Sequence, residues 1–310
     1  MARSETIGPN AFYGSTCSTT GTLIPSAPVI RAATRLLRVT PVPVARALAA
    51  LGGTIGWMLQ ADRRRTLLEN LRYTAPDRSD AEHRRMARRT FRNLAVTAVD
   101  QFRLPNISIA AVRELFEIRG LEHVDAALAR GKGIVVATAH LGPYELAAAC
   151  LAANGYTVYG MMENLEPELL EALSSYRSAT GVRMVNMKDG LRAAYRLLGE
   201  GHILALVADR VIGDTRGVIE VPFAEGRRLL PTGPAVFAQA TGAALITAFA
   251  WRNPQGKRRY VMEFDPPLFA ESRDAAERDR LMMAVVERIS AAVRRNPDQW
   301  FVFQPNWIES

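Results

Sequence analysis

The sequence has few of the residues that build cross-linked or metal-binding sites. Among its 310 residues there are two cysteines, Cys17 and Cys150, and four histidines. Two cysteines allow one disulfide at most, which excludes a disulfide-stapled scaffold and makes a reducing compartment the default expectation. The histidines lack the spacing of a zinc site, and no H-E-x-x-H motif occurs, so we expect no metal.

Several motifs of catalysis and binding are also missing. There is no G-x-S-x-G nucleophile elbow, and Cys150 falls in the middle of a helical stretch rather than at a turn. The Gly131-Lys132-Gly133 segment lacks the flanking residues of a Walker A phosphate loop. No RNA-binding or zinc-finger motif occurs, and nucleic acid is therefore not an expected partner.

Lysine is absent from the first third of the chain, although positive charge is concentrated there. Up to Pro105 the sequence has 16 Arg and no Lys against seven acidic residues, whereas the remainder is nearly neutral. Such an excess favours an anionic partner, and a membrane surface is the expected one. Residues 1–25 lack the pattern of a signal peptide, are rich in Ser, Thr and Gly, and are expected to be poorly ordered.

No apolar run clearly predicts a membrane-spanning helix. The uncharged stretch 47–61 has 15 residues and includes three glycines, whereas a spanning helix needs about 20 apolar residues. Upstream, Val29-Ile30 and Leu36-Leu37 alternate with arginines, a pattern that suits the headgroup layer of a membrane. We therefore expect 26–105 to form a basic, amphipathic, membrane-associating helical region, with a buried core helix as the alternative for its apolar stretch.

A helix rich in arginine is predicted after the turn-like segment 74–77. Its arginines occupy one broad face: Arg84, Arg85, Arg88, Arg89 and Arg92. This face is either simply solvated or directed at lipid phosphates or an acidic carrier, and both interpretations stay open.

After Pro105, short apolar runs alternate with helical stretches. The predicted strands are 134–139, 157–161, 182–187, 203–208, 218–223, 244–250 and 260–264. The predicted helices are 122–129, 142–154, 167–180, 190–201, 234–241 and 274–294. This alternation predicts an α/β core over 106–310, with a mainly parallel central sheet flanked by helices. In such folds the working residues lie where strands end and helices begin.

One strand end carries the most informative residues. His140 directly follows the buried-strand run 134–139, and Gly142-Pro143 then suits a turn into the next helix. Glu145 falls in the first turn of that helix, where its carboxylate can face the imidazole and hold one tautomer. An H-x-x-x-x-E spacing alone is weak, and a structural histidine is the alternative; the strand-end position favours a function.

The residues around His140 resemble a known family. The stretch 120–145 reads GLEHVDAALARGKGIVVATAHLGPYE. It resembles the bacterial lipid A biosynthesis (lauroyl/myristoyl) acyltransferases, in which a G-x-E-H-L-x-x-A-L-x-x-G-x-G lead-in precedes H-x-G-N-W-D/E. Pro143-Tyr144 stands here in place of Asn-Trp. Further matching segments are 163–168, 176–177, 207–210, 217–223 and 230–234. The closing WFVFQPNW, 300–307, resembles the actinobacterial branch, the phosphatidylinositol mannoside acyltransferases.

The resemblance implies transfer of a fatty acyl group from acyl-CoA or acyl carrier protein to a glycolipid hydroxyl. A phosphatidylinositol mannoside is the expected acceptor; a lipid A precursor, another lysolipid, or a non-catalytic lipid-binding protein of the same fold are the alternatives. It also implies membrane-associating N-terminal helices, a peripheral location on the cytoplasmic face of the inner membrane, and no cofactor beyond the thioester co-substrate.

The resemblance also suggests roles for individual residues. His140 is expected to be the base, with Glu145 and Asp209 as its supporting carboxylates. Oxyanion stabilisation is expected from backbone N–H groups near Gly142 or from a nearby arginine. The residues predicted to bind substrate are Glu163, Arg177, Arg210 and Glu220. Each has a plainer alternative as a solvated acid or a surface ion-pair partner, and the closing aromatic residues, Trp300 and Trp307 included, are expected to pack in the core.

Overall fold

The structure is a computed structural model that describes residues 27–162, 181–186, 190–211 and 217–308. Two of the predicted binding residues, Glu163 and Arg177, lie outside the described residues, as do the predicted helix 167–180 and the N-terminal segment 1–25.

The described chain begins with four helices: α1 (Ala27–Val39), α2 (Val42–Leu59), α3 (Ala61–Thr74) and α4 (Asp80–Phe102). Pro41 separates α1 from α2, because proline cannot supply the N–H that would continue α1. A capping box starts α4: the Ser79 hydroxyl accepts from the Glu82 N–H, and the Glu82 carboxylate accepts from the Ser79 N–H. The predicted turn, 74–77, thus lies between α3 and α4.

The second and fourth helices pack very closely. A Cβ atom at Gly53 would lie 2.6 Å from the backbone carbonyl oxygen of Phe91, so that only glycine allows this approach. The opposite side of α2 carries exposed apolar side chains: Val44, Leu48, Leu51, Ile55, Met58 and Leu59. We call these six residues the apolar face of α2. The five arginines predicted on one broad face of α4 are all exposed.

The core of the described chain is a seven-stranded sheet. Its strands are β1 (Phe116–Arg119), β2 (Ile134–Thr138), β3 (Val158–Met162), β4 (Arg183–Asn186), β5 (Ile203–Val207), β8 (Ala244–Arg252) and β9 (Tyr260–Phe264). They lie in the order β1-β9-β8-β2-β5-β3-β4. Neighbouring strands are parallel except for the antiparallel pair β8 and β9. The predicted α/β architecture with a mainly parallel sheet is therefore confirmed.

Helices cover both faces of the sheet. They are α5 (Ile109–Glu114), α6 (Leu121–Leu128), α7 (Tyr144–Ala153), α8 (Gly190–Gly199), α9 (Gly233–Thr241) and α10 (Ala275–Arg295). Strand β2 is buried on both sides, since Val135 and Ala137 pack with α8, α9 and α10 while Ile134 and Val136 pack with α5, α6 and α7. This explains its continuous apolar sequence, which is typical of parallel sheets.

One predicted strand lies elsewhere. The segment 218–223 does form a strand, β6 (Val218–Phe223), but it pairs with β7 (Gly226–Pro231) in a separate antiparallel hairpin. The C-terminal segment then joins the parts: Trp300 pairs with Leu141 next to β2, and Trp307 pairs with Arg228 of the hairpin. The last described residues thus connect the hairpin with the strand end that bears His140.

Candidate active site

His140 lies two residues beyond the end of β2, in a loop held by backbone contacts. Its carbonyl oxygen accepts from the Phe301 N–H at 2.8 Å, and the Gly142 N–H donates to the Gln299 carbonyl at 2.8 Å. Gly142 has a φ of 54°, and any side chain there would overlap the Ala250 carbonyl. The histidine side chain remains 17% exposed, so its ring is held by the fold but is not sealed from solvent.

Asp209 fixes the His140 ring from the neighbouring strand. The His140 Nδ1 lies 2.7 Å from Asp209 Oδ1, and the His140 backbone N–H donates to Oδ2 at 2.8 Å. Strands β2 and β5 are adjacent and parallel. Because His140 and Asp209 each lie two residues beyond the end of their strand, the two side chains come together. Trp300 adds a third hydrogen bond, from its Nε1–H to Asp209 Oδ2 at 2.8 Å.

The Asp209 carboxylate is fully buried and ionised. Burial by itself raises its pKa, but the charge of His140, together with the hydrogen bonds from His140 and Trp300, lowers the pKa of Asp209 to about 2. A carboxylate that accepts at Nδ1 fixes the neutral ring as the Nδ1–H tautomer and leaves Nε2 as a hydrogen-bond acceptor. In that tautomer Nε2 is the ring nitrogen that can accept a proton.

A cationic donor stands in front of that nitrogen. The Arg210 Nε lies 3.4 Å from His140 Nε2, and the Arg210 side chain is largely buried. Tyr144 packs edge-on against the imidazole, with ring centroids 5.4 Å apart. Arg210 is thus in position to interact with negative charge that develops beside Nε2.

Glu145 bonds to the N-terminal helices. Within the described part of the chain, the hydrogen bonds of the imidazole involve Asp209 and Arg210, and none involves Glu145. The Glu145 carboxylate accepts a hydrogen bond from Gln101 of α4. Its predicted support of the His140 ring stays a prediction.

Glu220 is also separate from the His140 cluster. It lies on β6, is exposed, and forms an ion pair with Arg227 across the hairpin at 2.6 Å. This exposed pair agrees with the plainer alternative, a surface ion-pair partner. Its predicted role in substrate binding stays a prediction.

Two residues of the site were not expected from the sequence. Trp300 was predicted to be core packing; it is buried, but its indole N–H also holds Asp209. A buried tryptophan needs an acceptor for this N–H, which is the signal that the sequence offered. Arg228 is buried beside the Trp300 ring, and its sequence context gives no sign of this.

The C-terminal segment is anchored to α3 as well. Asn70 donates from Nδ2 to the Val302 carbonyl at 2.8 Å and accepts at Oδ1 from the Trp307 Nε1–H at 2.7 Å. Tyr73 stacks on Trp307 with ring centroids 4.0 Å apart. These contacts fix the segment that carries Trp300, so that α3 contributes indirectly to the position of Asp209.

Metal ligation is not supported where the structure can be assessed. Among the described residues, no group of three or more His, Cys, Asp or Glu side chains is placed to hold a metal ion. Cys150 is buried, and burial raises the pKa of its thiol to about 11. A thiol with such a pKa is a poor nucleophile.

The chain is similar to several characterised bacterial proteins. It is 31% identical over 214 residues to the phosphatidylinositol mannoside acyltransferase of Mycobacterium tuberculosis, a match that covers 67% of this chain and 65% of that protein. The protein of the same name from Mycolicibacterium smegmatis is 29% identical over 67% of this chain and 68% of its own. The lipid A biosynthesis lauroyltransferase of Escherichia coli K12 is 24% identical over 84% of each chain.

The match to the Mycobacterium tuberculosis protein has a higher identity than the match to the Escherichia coli protein but covers less of this chain. The chain spans just under two thirds of the Mycobacterium tuberculosis protein's length. The family model described as bacterial lipid A biosynthesis acyltransferase matches residues 24–309, which is nearly the whole chain. These matches confirm the resemblance seen around His140 and in the closing segment, and the chain belongs to the bacterial lipid A biosynthesis acyltransferase family.

Proposed function

We propose that the protein transfers a fatty acyl group from an acyl thioester to a hydroxyl of a membrane glycolipid, with His140 as the base. One observation carries the proposal: His140 Nδ1 is bonded to the buried Asp209 carboxylate, so that Nε2 is the proton acceptor at the open end of a parallel sheet. Family membership supports acyl transfer as the reaction class.

The proposed reaction is direct attack. Nε2 of His140 takes the proton of the acceptor hydroxyl while its oxygen attacks the thioester carbonyl. The resulting imidazolium is stabilised by Asp209, and the oxyanion of the tetrahedral intermediate is stabilised by a nearby donor. The C–S bond then breaks, and the leaving thiolate takes the proton from His140. Ester and thiol are the products, and no covalent intermediate on the protein is needed.

Arg210 is the better of the two predicted oxyanion donors. The backbone N–H of Gly142 already donates to the Gln299 carbonyl, so it is not available to a ligand without a change of the loop. The Arg210 guanidinium lies beside Nε2, where the attacking oxygen would arrive. A fixed positive charge at that point stabilises developing negative charge more than water does.

The proposed acceptor is a phosphatidylinositol mannoside. The relative that is 31% identical carries that substrate in its name, and the closing W-x-x-x-Q-P-x-W segment agrees with that branch. A lipid A precursor is the second candidate, since the Escherichia coli lauroyltransferase matches a larger share of the chain at 24% identity. The proposed donor of the acyl group is either acyl-CoA or acyl carrier protein.

The N-terminal helices are proposed to rest on the cytoplasmic face of the inner membrane. Helix α2 is long and apolar enough to cross a membrane by length and composition. However, its 18 residues extend only about 27 Å, and its inner side packs against α4 at Gly53. Arg46 of α2 is also bonded to the buried Asp100 of α4 at 2.7 Å. These contacts favour a helix that lies at the surface with its apolar face in the lipid.

The test combines defined donors with defined acceptors. The purified protein is incubated with radiolabelled palmitoyl-CoA, or with palmitoyl acyl carrier protein, and with phosphatidylinositol mannoside or a lipid A precursor in vesicles. We expect labelled phosphatidylinositol mannoside from the wild-type protein and none from His140→Ala. Arg119→Ala, which alters an exposed ion pair of β1, is the control variant with unchanged activity. Turnover by folded His140→Ala would refute the role of His140, and labelling of neither acceptor would refute the function.

A further inference from the structure

Arg228 is a fully buried cation that has no hydrogen-bond acceptor among the described residues. It lies on β7, its exposed fraction is 0%, and among the described residues no acceptor bonds to its Nε, Nη1 or Nη2. A buried charged group normally carries a large desolvation cost and is kept only where something compensates it. The acyl-transfer mechanism proposed above makes no use of this residue.

Three aromatic rings surround the guanidinium. Its central carbon lies 4.8 Å from the ring centroid of Trp307, 5.1 Å from that of Trp300 and 5.7 Å from that of Phe223. Cations are attracted to the faces of such rings, most strongly where water is excluded. The backbone of Arg228 also pairs with that of Trp307, so the charge is held in place by both main chain and side chain.

The aromatic surroundings connect Arg228 with the base. Trp300, one of the three rings, donates its indole N–H to Asp209, and Asp209 bonds to His140. Burial lowers the pKa of Arg228 to about 10, and the charges of Asp209 and Glu69 act in the opposite direction. The guanidinium therefore stays protonated near neutral pH.

We propose that Arg228 is a positioning residue of the His140 site. Its buried charge fixes Trp300 against Asp209 and disfavours a protonated imidazole, which keeps His140 in the form that accepts a proton. This proposal rests in part on the acyl-transfer function, but its electrostatic component can be measured without turnover.

The effect of Arg228 on protonation of His140 adds to the effects of the charged groups that contact the His140 ring. Asp209, at the end of β5, favours protonation of His140, and Arg210 opposes it from the side of Nε2. Tyr144 of α7 contacts the ring with its edge, and Glu145 of the same helix bonds to Gln101. Arg228 acts from the hairpin, in contact with the Trp300 ring whose indole N–H bonds to Asp209.

The test is the pH titration of the His140 ring, observed by NMR. The His140 signal is assigned by its loss in His140→Ala. In Arg228→Met the midpoint should rise by at least about half a pH unit, because the variant lacks the buried positive charge that disfavours the imidazolium. We expect the variant to be at least as stable as the wild type, because an apolar side chain often replaces a buried charge without loss.

Three further variants control this measurement. Arg228→Gln is a second neutral variant and should raise the midpoint in the same way, which keeps the test valid if the Met variant does not fold. Arg228→Lys retains the charge and should keep the midpoint near that of the wild type. Arg294→Met removes an exposed arginine that bonds to Glu225 in the hairpin turn, and it should leave the midpoint unchanged.

Activity gives an independent reading. If the acyl-transfer function holds, Arg228→Met should lower kcat severalfold at pH values below its own NMR midpoint, with recovery at higher pH and an unchanged KM, because more of the base is protonated in the variant. An unchanged midpoint in both folded neutral variants would overturn the proposal and make Arg228 a packing residue. If the midpoint shifts in the neutral variants but the wild-type protein has no acyl-transfer activity, only the proposed function is refuted.

Discussion

At the scale of single residues, the site depends on one carboxylate that collects three donors. Asp209 accepts from the His140 backbone N–H, from the ring Nδ1–H and from the indole N–H of Trp300. These bonds outweigh the desolvation of a fully buried carboxylate, which explains its lowered pKa. Removal of any one donor leaves the buried Asp209 carboxylate with fewer hydrogen bonds. The effect on His140 depends on which of the three donors is removed.

Two tryptophan substitutions separate this effect from general packing. Trp300→Phe and Trp307→Phe each keep an aromatic ring and remove one indole hydrogen bond, the first to Asp209 and the second to Asn70. We expect each to cost about 1 to 2 kcal/mol of unfolding free energy, measured by urea denaturation. Trp300→Phe should lower kcat by about tenfold or more, and much more than Trp307→Phe does, because it alone removes a donor from the Asp209 carboxylate itself.

Equal activity of the two variants would contradict this assignment. The comparison is informative because both tryptophans lie in the same C-terminal segment and both contact Arg228. The two tryptophans differ in the acceptor of the indole N–H, which is Asp209 for Trp300 and Asn70 for Trp307.

At the scale of the elements, the contact of α2 with α4 determines how the N-terminal layer is built. Gly53 lies against the backbone of Phe91 and Arg92, whereas a side chain at the adjacent Gly52 would meet open space. A second contact reinforces the packing: Asp100 of α4 binds Arg46 of α2 and Arg259 next to β9. Helix α4 therefore joins α2 to the α/β core.

The two adjacent glycines offer a matched pair of substitutions. Gly53→Ala should destabilise the protein by roughly 1 to 3 kcal/mol, because the methyl group forces α2 away from the α4 backbone. Gly52→Ala should stabilise it by about 0.5 to 1 kcal/mol, because alanine favours the helix and nothing obstructs it. Urea denaturation of both variants measures the difference, and two changes of the same sign would contradict the close packing.

The elements also show how far sequence reasoning reaches. Strand β2 was predicted to within one residue, because a strand buried on both faces must be continuously apolar. Strand β7 was missed, since its sequence GRRLLP carries two arginines and only the fold shows that one of them is buried. Glu145 was assigned to the His140 ring because it is close in sequence. Asp209, 69 residues away and assigned through the family resemblance, is the carboxylate that bonds to the ring, since β2 and β5 are neighbours in the sheet.

At the scale of the whole molecule, charge and apolar surface are gathered in the N-terminal helices. The formal net charge of the chain is +8, and the excess lies in the first third of the sequence. The apolar face of α2 is exposed, and the arginines of α4 are exposed on the helix that packs behind it. Together these features resemble an interfacial anchor, in which apolar side chains enter the lipid and arginines contact the headgroups.

Vesicle binding tests this anchor. Leu51→Glu with Ile55→Glu should weaken binding to vesicles that contain anionic lipid by at least about tenfold, because two apolar side chains are replaced by charged ones. The effect is measured by co-flotation. High salt should weaken binding of the wild-type protein as well, since it screens the arginines.

The control for this experiment is Met283→Glu, which replaces an exposed apolar side chain on α10, away from the apolar face of α2. It should leave vesicle binding unchanged. Equal loss in the control, or none in the double variant, would show that α2 is not the anchor.

The pairing of the C-terminal segment with the His140 loop has a consequence for the order of folding. It joins Leu141 and Trp300, which are 159 residues apart in the sequence, and Asp209 gains its indole donor only when this contact has formed. Contacts between distant parts of a chain carry a larger loop-closure entropy cost than local ones. The hydrogen bonding around Asp209 should therefore be completed late in folding, after the sheet has assembled.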